Sequence, residues 1–103
     1  MELQPLTAIS PIDGRYRKQT EHLDTYFSEF ALIKQRVVVE VEYFSFLAEK
    51  KFFILPAKTK NLLQKVVENF SLDDAQKIKN IEAITNHDVK AVEYFLKEEL
   101  EKG

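Results

Sequence analysis

The chain of 103 residues contains no cysteine and no tryptophan, and only two glycines and three prolines. The absence of cysteine excludes disulfides, thiolate zinc sites and cysteine nucleophiles, and it suits a reducing compartment. Between Gly14 and Pro56 no glycine or proline interrupts the chain. This scarcity of turn residues favours long helices over a turn-rich sheet.

The chain also lacks a large excess of charge of either sign. It has 15 Lys and Arg residues and 17 Asp and Glu residues, which gives a formal net charge of −2. This balance gives no electrostatic reason to expect a nucleic-acid partner. No apolar run approaches the roughly 18 residues that cross a bilayer, and Glu2 does not fit the start of a signal peptide. With 45% hydrophobic and 31% charged residues, we expect one folded domain in the cytoplasm, with no membrane partner.

Hydrophobic periodicity predicts the longest helix over residues 27–50. An irregular arm is expected over residues 1–16, where Pro5, Pro11 and the Asp13-Gly14 pair exclude a regular helix, and a helical turn or two over residues 18–24. The apolar face of the long helix repeats every three to four residues and comprises Phe30, Val37, Val38, Val41, Phe44 and Ala48. Further apolar residues (Leu32, Ile33, Val39, Phe46 and Leu47) widen this face, so we expect burial on more than one side.

Three shorter helices complete the pattern, over residues 57–69, from Ser71 to about residue 85, and over residues 87–101. Ser71 is expected to cap the middle one, because its hydroxyl can accept a backbone N–H bond three residues on. Residues 52–55 (Phe-Phe-Ile-Leu) form an apolar connector. The predicted fold class is therefore all-α, a small helical bundle preceded by an irregular N-terminal arm.

The run Thr-Asn-His-Asp-Val-Lys at residues 85–90 places a histidine at the start of the last helix. Unpaired N–H groups there favour anionic ligands and disfavour a charged imidazolium, which suits proton transfer near neutral pH. One interpretation is a site in which Asn86 and Asp88 orient a ligand and His87 exchanges a proton. The other is a capping motif, with Thr85 or Asn86 as N-cap, Asp88 favourable for the helix dipole and His87 without a role.

A second candidate is the turn Asp13-Gly14, followed by Arg15 and Tyr16. Arginine can hold a phosphate or carboxylate with two parallel hydrogen bonds, although the local pattern by itself favours a surface turn with a solvated arginine. Lys90 would add a positive charge to an anion site or simply be solvated. His22 and His87 lie far apart without metal-ligand spacing, so we expect no metal and no cofactor.

Two longer segments resemble those of a known family. Residues 6–16 (LTAISPIDGRY) resemble the N-terminal signature of the bacterial adenylosuccinate lyases, and residues 85–97 (TNHDVKAVEYFLK) resemble the segment around the first active-site histidine of that family. The resemblance continues over residues 27–30 and 78–84. It identifies the chain as a member of the aspartase/fumarase superfamily, whose members eliminate fumarate from succinyl-bearing substrates.

The resemblance implies a lyase of purine biosynthesis that releases fumarate from adenylosuccinate, giving AMP, and from the succinyl-carboxamide imidazole ribonucleotide. Arg15 and Tyr16 would contact the 5′-phosphate of this nucleotide substrate. Asn86, His87 and Asp88 would line the substrate pocket, with His87 supporting the general acid or acting as it. Argininosuccinate and fumarate are the substrates of related enzymes, but neither would need a phosphate anchor.

Family members are several times longer than 103 residues. Their second active-site histidine, the serine general base and the helices that form the homotetramer core lie outside the matched segment. The chain is therefore expected to be the N-terminal domain (residues 1–103) of a longer lyase and to be inactive alone, without the central and C-terminal domains. The alternative is a non-catalytic helical interaction module that docks a partner through residues 52–55.

Overall fold

A computed structural model describes residues 1–102, in which helices and turns are present and strands are not. The longer helices are α1 (Glu29–Glu49), α2 (Ala57–Glu68), α3 (Leu72–Thr85) and α4 (Asp88–Lys102). The chain divides into two compact units, Met1–Leu32 and Ile33–Gly103. No helix within residues 1–102 combines the length and the apolar content that a membrane span requires. These observations confirm the all-α fold class and the small bundle.

The N-terminal arm has more regular structure than its prolines and glycine indicated. A 3-10 helix spans Pro11–Asp13, and the Ser10 hydroxyl caps it by accepting the Ile12 N–H bond at 3.2 Å. Proline is compatible with this position because the first N–H of a helix has no intrahelical partner. The arm is otherwise made of turns and bends, with no α-helix before residue 17, so the predicted irregular arm is confirmed with one 3-10 turn added.

Helical turns follow the arm as Arg17–Thr20, Glu21–Leu23 and Asp24–Phe27, a longer stretch than the predicted 18–24. Arg17 connects them, since its guanidinium lies 3.0 Å from the Asp13 carboxylate and 3.3 Å from that of Asp24. These pairs are exposed and each contributes at most about 1 kcal/mol. The Thr20 hydroxyl donates to the Ile12 carbonyl at 3.0 Å and links the turns to the 3-10 helix.

The start of α1 is set by Ser28, whose hydroxyl accepts the Ala31 N–H bond at 3.0 Å. Serine is among the best N-cap residues, and it ends the preceding turn in an extended conformation. The helix consequently begins at Glu29, two residues after the predicted start, and ends at Glu49 rather than residue 50.

The core of the second unit collects side chains from all four helices. Phe95 of α4 is 1% exposed, and its ring meets that of Phe70 edge-to-face, with centroids 6.0 Å apart. The other buried residues of this unit are Ile33, Val37, Val41, Leu63, Ala75, Ile78, Ala91 and Val92. On α1, α3 and α4 the buried residues recur at three-to-four spacing, which is the pattern of an amphipathic bundle.

The outward face of α1 differs from the prediction of burial on more than one side. Val39 is 62% exposed and Phe46 is 51% exposed, and Leu32 and Tyr43 are exposed as well. Only the face that carries Val37 and Val41 is covered by residues 1–102. Of the residues predicted to widen the apolar face, Ile33 is buried and Leu47 half-buried, whereas Leu32, Val39 and Phe46 are not covered by any described residue.

Helix ends elsewhere follow recognisable signals. Pro56 precedes the first residue of α2, and Ser71 and Asp74 form a reciprocal capping box at the start of α3. The Ser71 hydroxyl accepts the Asp74 N–H bond at 3.3 Å, and the Asp74 carboxylate accepts the Ser71 N–H bond at 3.0 Å. The predicted Ser71 cap is therefore confirmed.

Candidate functional site

The turn that presents Arg15 and Tyr16 is built around Gly14. The Gly14 and Tyr16 N–H groups both donate to the Pro11 carbonyl, at 3.3 and 2.9 Å. Gly14 is buried, and a Cβ added to it would lie 2.7 Å from the Pro5 carbonyl oxygen and 2.9 Å from the Ala8 Cβ. Glycine is therefore required here by close backbone approach, which folds residues 5–8 against the turn.

Arg15 and Tyr16 are both exposed, and the guanidinium carbon of Arg15 lies 5.1 Å from the centre of the Tyr16 ring. The two side chains thus form a cation–π pair. Within the part of the chain that the structure describes, no carboxylate pairs with Arg15, whereas Arg17 is occupied by Asp13 and Asp24. An exposed arginine without a carboxylate partner keeps its donors open to an anion.

The junction between α3 and α4 corrects the predicted capping motif. Asn86 adopts the left-handed conformation (φ 55°, ψ 29°) and closes α3 by donating its N–H to the Glu82 carbonyl at 2.7 Å. Thr85 is still inside α3, and its hydroxyl accepts the His87 N–H bond at 3.3 Å. Neither Thr85 nor Asn86 is therefore the N-cap of α4. Among the amino acids, glycine adopts this backbone conformation most readily, and asparagine comes next.

His87 itself caps α4, because its Nδ1 accepts the Lys90 N–H bond at 3.3 Å. The interpretation of His87 as a residue without a role is therefore wrong. A nitrogen that accepts a hydrogen bond carries no proton, so a neutral imidazole in this position holds its proton on Nε2. The ring is exposed, and its Nε2–H is a hydrogen-bond donor set at a helix start.

Asp88, the first residue of α4, is held by two neighbours. Its Oδ2 lies 3.1 Å from Nη2 of Arg36 on α1, and its Oδ1 accepts the Val89 N–H bond at 2.8 Å. Arg36 is not among the residues predicted from the sequence. The available signal is its position next to the valine run at residues 37–39, where a cation at the edge of a buried face requires a partner.

Lys90 is engaged within α4. Its ammonium lies 2.9 Å from the Glu93 carboxylate and 5.9 Å from the Tyr94 ring centre. The hydrogen bond to Glu93, and then the charge of Glu93, raise the pKa of Lys90 above its usual value. Lys90 is therefore a fully charged lysine paired on its own helix, and its positive charge is partly offset by Glu93.

The predicted site residues lie in two different units: Arg15 and Tyr16 in Met1–Leu32, and Asn86, His87 and Asp88 in Ile33–Gly103. Within the second unit the structure does bring together Arg36, His87 and Asp88. Across residues 1–102, no group of three or more His, Asp or Glu side chains is arranged to hold a metal ion.

A groove of about 380 Å³ lies between α1 and α4 but contains none of the predicted site residues. Its floor is apolar and includes Phe44, Leu63 and Leu96, and its rim carries Glu40, Glu93, Lys97 and Glu101. Three carboxylates against one ammonium disfavour a phosphate ligand. The groove is thus a poor match for a nucleotide.

The connector at residues 52–55 is only partly an exposed patch. Phe52 and Ile54 are 75% and 93% exposed, whereas the Phe53 ring packs on Phe44 with centroids 4.6 Å apart. Exposed and half-buried residues thus alternate over residues 52–55. The apolar surface that the sequence assigned to four residues is therefore carried by two.

Comparison with known proteins gives one consistent result. The chain is 52% identical over 97% of its length to an adenylosuccinate lyase of Dictyostelium discoideum, 49% over 97% to that of Escherichia coli K12, and 46% over 100% to that of Legionella pneumophila strain Corby. It spans only 22–24% of the length of these relatives. No family model matches the chain. The resemblance seen in the two sequence motifs is confirmed, and along its whole length the chain is homologous to the N-terminal part of the adenylosuccinate lyases.

Proposed function

We propose that this chain is the N-terminal domain of an adenylosuccinate lyase, which releases fumarate from adenylosuccinate and from the succinyl-carboxamide imidazole ribonucleotide in purine biosynthesis. The observation that carries the proposal is identity of 46–52% to three such lyases over 97–100% of the chain. We assign the enzyme no cofactor and no metal. Its substrate is a small nucleotide.

The proposed reaction is a β-elimination. A base removes the proton from the carbon β to the nitrogen, negative charge builds on the adjacent carboxylate, and the C–N bond breaks to form the double bond of fumarate. The departing nitrogen keeps the electron pair and must be protonated. The base belongs to the part of the lyase beyond this chain, so residues 1–102 supply binding and orienting groups.

Arg15 and Tyr16 would bind the 5′-phosphate. Support comes from the exposed guanidinium, which has no carboxylate partner among residues 1–102, and from the ring stacked beside it. Arginine and a phenolic hydroxyl together offer donors in the geometry that phosphate oxygens accept. A substrate without phosphate, such as argininosuccinate or fumarate, would leave this pair without a ligand.

Asn86, His87 and Asp88 would line the substrate pocket, with His87 supporting the general acid or acting as it. Support comes from Nδ1 of His87, which accepts the Lys90 N–H bond and so leaves Nε2–H as a donor to the substrate. The Asn86 side chain is exposed, and its amide can both donate and accept.

The remainder of the lyase chain is the proposed partner of this domain, in a cytoplasmic homotetramer. The exposed face of α1, with Val39, Tyr43 and Phe46, supports this assignment because a stripe of large apolar residues is costly to leave in water. The absence of cysteine is compatible with a cytoplasmic location.

Steady-state kinetics of the full-length lyase test the proposal. Purified full-length protein is expected to release fumarate from adenylosuccinate, and the 103-residue chain alone to release none. Arg15→Ala should raise KM by roughly tenfold to a hundredfold, since a hydrogen bond to a charged group contributes about 1.5–3 kcal/mol. His87→Ala should chiefly lower kcat, by about 10²–10⁴.

Matched controls are Lys18→Ala, which removes a nearby exposed cation, and His22→Ala, which removes the other histidine; both should match the wild type. A full-length protein that releases no fumarate, together with stable binding of another protein by the 103-residue chain, would favour the non-catalytic interaction module. Release of fumarate by the 103-residue chain would refute the assignment of the base to the missing part.

A further inference from the structure

An ion pair connects the first turn of α4 to α1. Nη2 of Arg36 lies 3.1 Å from Oδ2 of Asp88, with the two side chains 27% and 47% exposed. The second oxygen of Asp88 accepts the Val89 N–H bond at 2.8 Å. Both carboxylate oxygens are therefore engaged in holding the helix start, one toward α1 and one toward the backbone of α4 itself.

His87 precedes Asp88 directly and shares this turn. Its Nδ1 accepts the Lys90 N–H bond at 3.3 Å, and this bond needs the turn to keep its helical geometry. Because Asn86 is held in the left-handed conformation, the backbone enters the turn at a fixed angle. The direction of the imidazole, and so of Nε2–H, depends on where the turn is held.

We propose that Arg36 is a positioning residue of the lyase, which acts through Asp88 to hold the imidazole of His87 in one orientation with its proton on Nε2. This inference rests on the proposed function and adds to it a residue that contacts no substrate itself. Arg36 suits the task because it lies on a different helix, α1, and its guanidinium is within ion-pair distance of the first residue of α4. Asp88 then contributes by orienting His87, since its two oxygens already have partners.

Energetics separate this role from a merely structural one. An ion pair as exposed as this one contributes little to the stability of the folded chain, so its loss should leave the fold intact. Displacement of a group in an active site by about 1 Å can cost about a hundredfold in rate. Removal of Arg36 should therefore affect turnover far more than folding.

The kinetic test uses the full-length lyase with Arg36→Gln, Arg36→Lys, Asp88→Asn and the Arg36→Gln/Asp88→Asn double variant. We expect Arg36→Gln to lower kcat by about tenfold or more while KM changes less than about twofold, and Arg36→Lys to recover most of the loss. The double variant should lose no more than the worse single variant, because the two residues act as one unit. Lys34→Gln is the matched control. Lys34 is on the same helix as Arg36 but has no carboxylate partner among residues 1–102, so the kcat of this variant should equal that of the wild type.

A second measurement observes the imidazole directly. Nitrogen-15 spectra of the 103-residue chain, with His22→Gln to leave a single histidine, should show His87 with its proton on Nε2 at neutral pH. In the Arg36→Gln variant the Lys90 amide should exchange with solvent at least about fivefold faster, whereas Lys34→Gln should leave its rate unchanged.

The outcomes distinguish this inference from the proposed function. If the wild-type lyase releases fumarate but Arg36→Gln turns over like the wild type, the inference is wrong and the function stands. If Arg36→Gln does not fold, Asp88→Asn and Arg36→Lys decide the same question. If the wild type releases no fumarate, the proposed function is wrong. Independently of that result, a proton on Nδ1 of His87 refutes the positioning role of Arg36, and so does a Lys90 exchange rate that Arg36→Gln leaves unchanged.

Discussion

The substitution Gly14→Ala tests whether the turn under Arg15 and Tyr16 depends on close backbone approach. The new Cβ would lie 2.7 Å from the Pro5 carbonyl oxygen and 2.9 Å from the Ala8 Cβ. Both distances are below what real Cβ atoms tolerate, so the segment at residues 5–8 must shift. The φ of Gly14 is −116°, outside the left-handed region that favours glycine, so the expected cost is worked from these two contacts.

The size of the effect follows from two opposing contributions. Overpacking of this kind costs about 1–3 kcal/mol, while Gly→Ala restricts the unfolded chain and returns about 0.4–1 kcal/mol. The central values of these ranges, about 2 and about 0.7 kcal/mol, leave a net local destabilisation of about 1.3 kcal/mol. Local opening of the turn should therefore become roughly tenfold more frequent.

Amide hydrogen exchange of the 103-residue chain measures this opening at Tyr16 and Arg17, whose N–H groups donate to Pro11 and Gly14. Both amides should exchange faster in Gly14→Ala, while amides in α4 keep their rates. Adding Ala8→Gly removes one of the two clashes and should recover part of the loss, because the Pro5 carbonyl remains. Unchanged exchange at Tyr16 and Arg17 would refute the close-approach argument.

Two further substitutions probe the second unit by denaturant unfolding of the 103-residue chain. Ser71→Ala removes the α3 cap and should lower the free energy of unfolding by about 1 kcal/mol, whereas Ser71→Thr keeps the oxygen and should lower it less; equal losses would contradict the capping box. Phe95→Ala leaves a cavity beside Phe70 and should cost about 3–5 kcal/mol, most of the stability of a small domain. Phe52→Ala, at a side chain that is 75% exposed, is its control and should cost less than about 0.5 kcal/mol; similar losses in both variants would show that Phe95 is not in the core.

The helices were predictable from the sequence because their ends carry local signals. Ser71 with Asp74, and Pro56 before α2, act within one turn of the chain, and the predicted bounds of the four longer helices differ from the observed ones by at most two residues. The all-α class was predictable for the same reason, because helix signals are local in sequence and glycine is scarce. The start of α1 is the exception: periodicity extended the predicted helix to residue 27, and the cap at Ser28, which begins the helix at Glu29, was not predicted.

The site was less predictable, because its geometry depends on contacts between distant residues and on one unusual backbone angle. Asn86 in the left-handed conformation moves the start of α4 by one residue, which makes His87 the cap in place of a conventional capping residue. The ion pair from Arg36 to Asp88 joins different helices, and no local pattern marks it. The two apolar faces of α1 have the same hydrophobic periodicity. Periodicity does not indicate whether a face is covered by residues of this chain or by another chain.

The central claim is that Arg15 and His87 both contact the substrate of an adenylosuccinate lyase. A crystal structure of the full-length lyase with adenylosuccinate bound tests it most directly. The account predicts an Arg15 guanidinium nitrogen within about 3 Å of a 5′-phosphate oxygen, and Nε2 of His87 within hydrogen-bond reach of the same molecule. A phosphate held by other residues, with Arg15 in solvent and His87 away from the ligand, would contradict it.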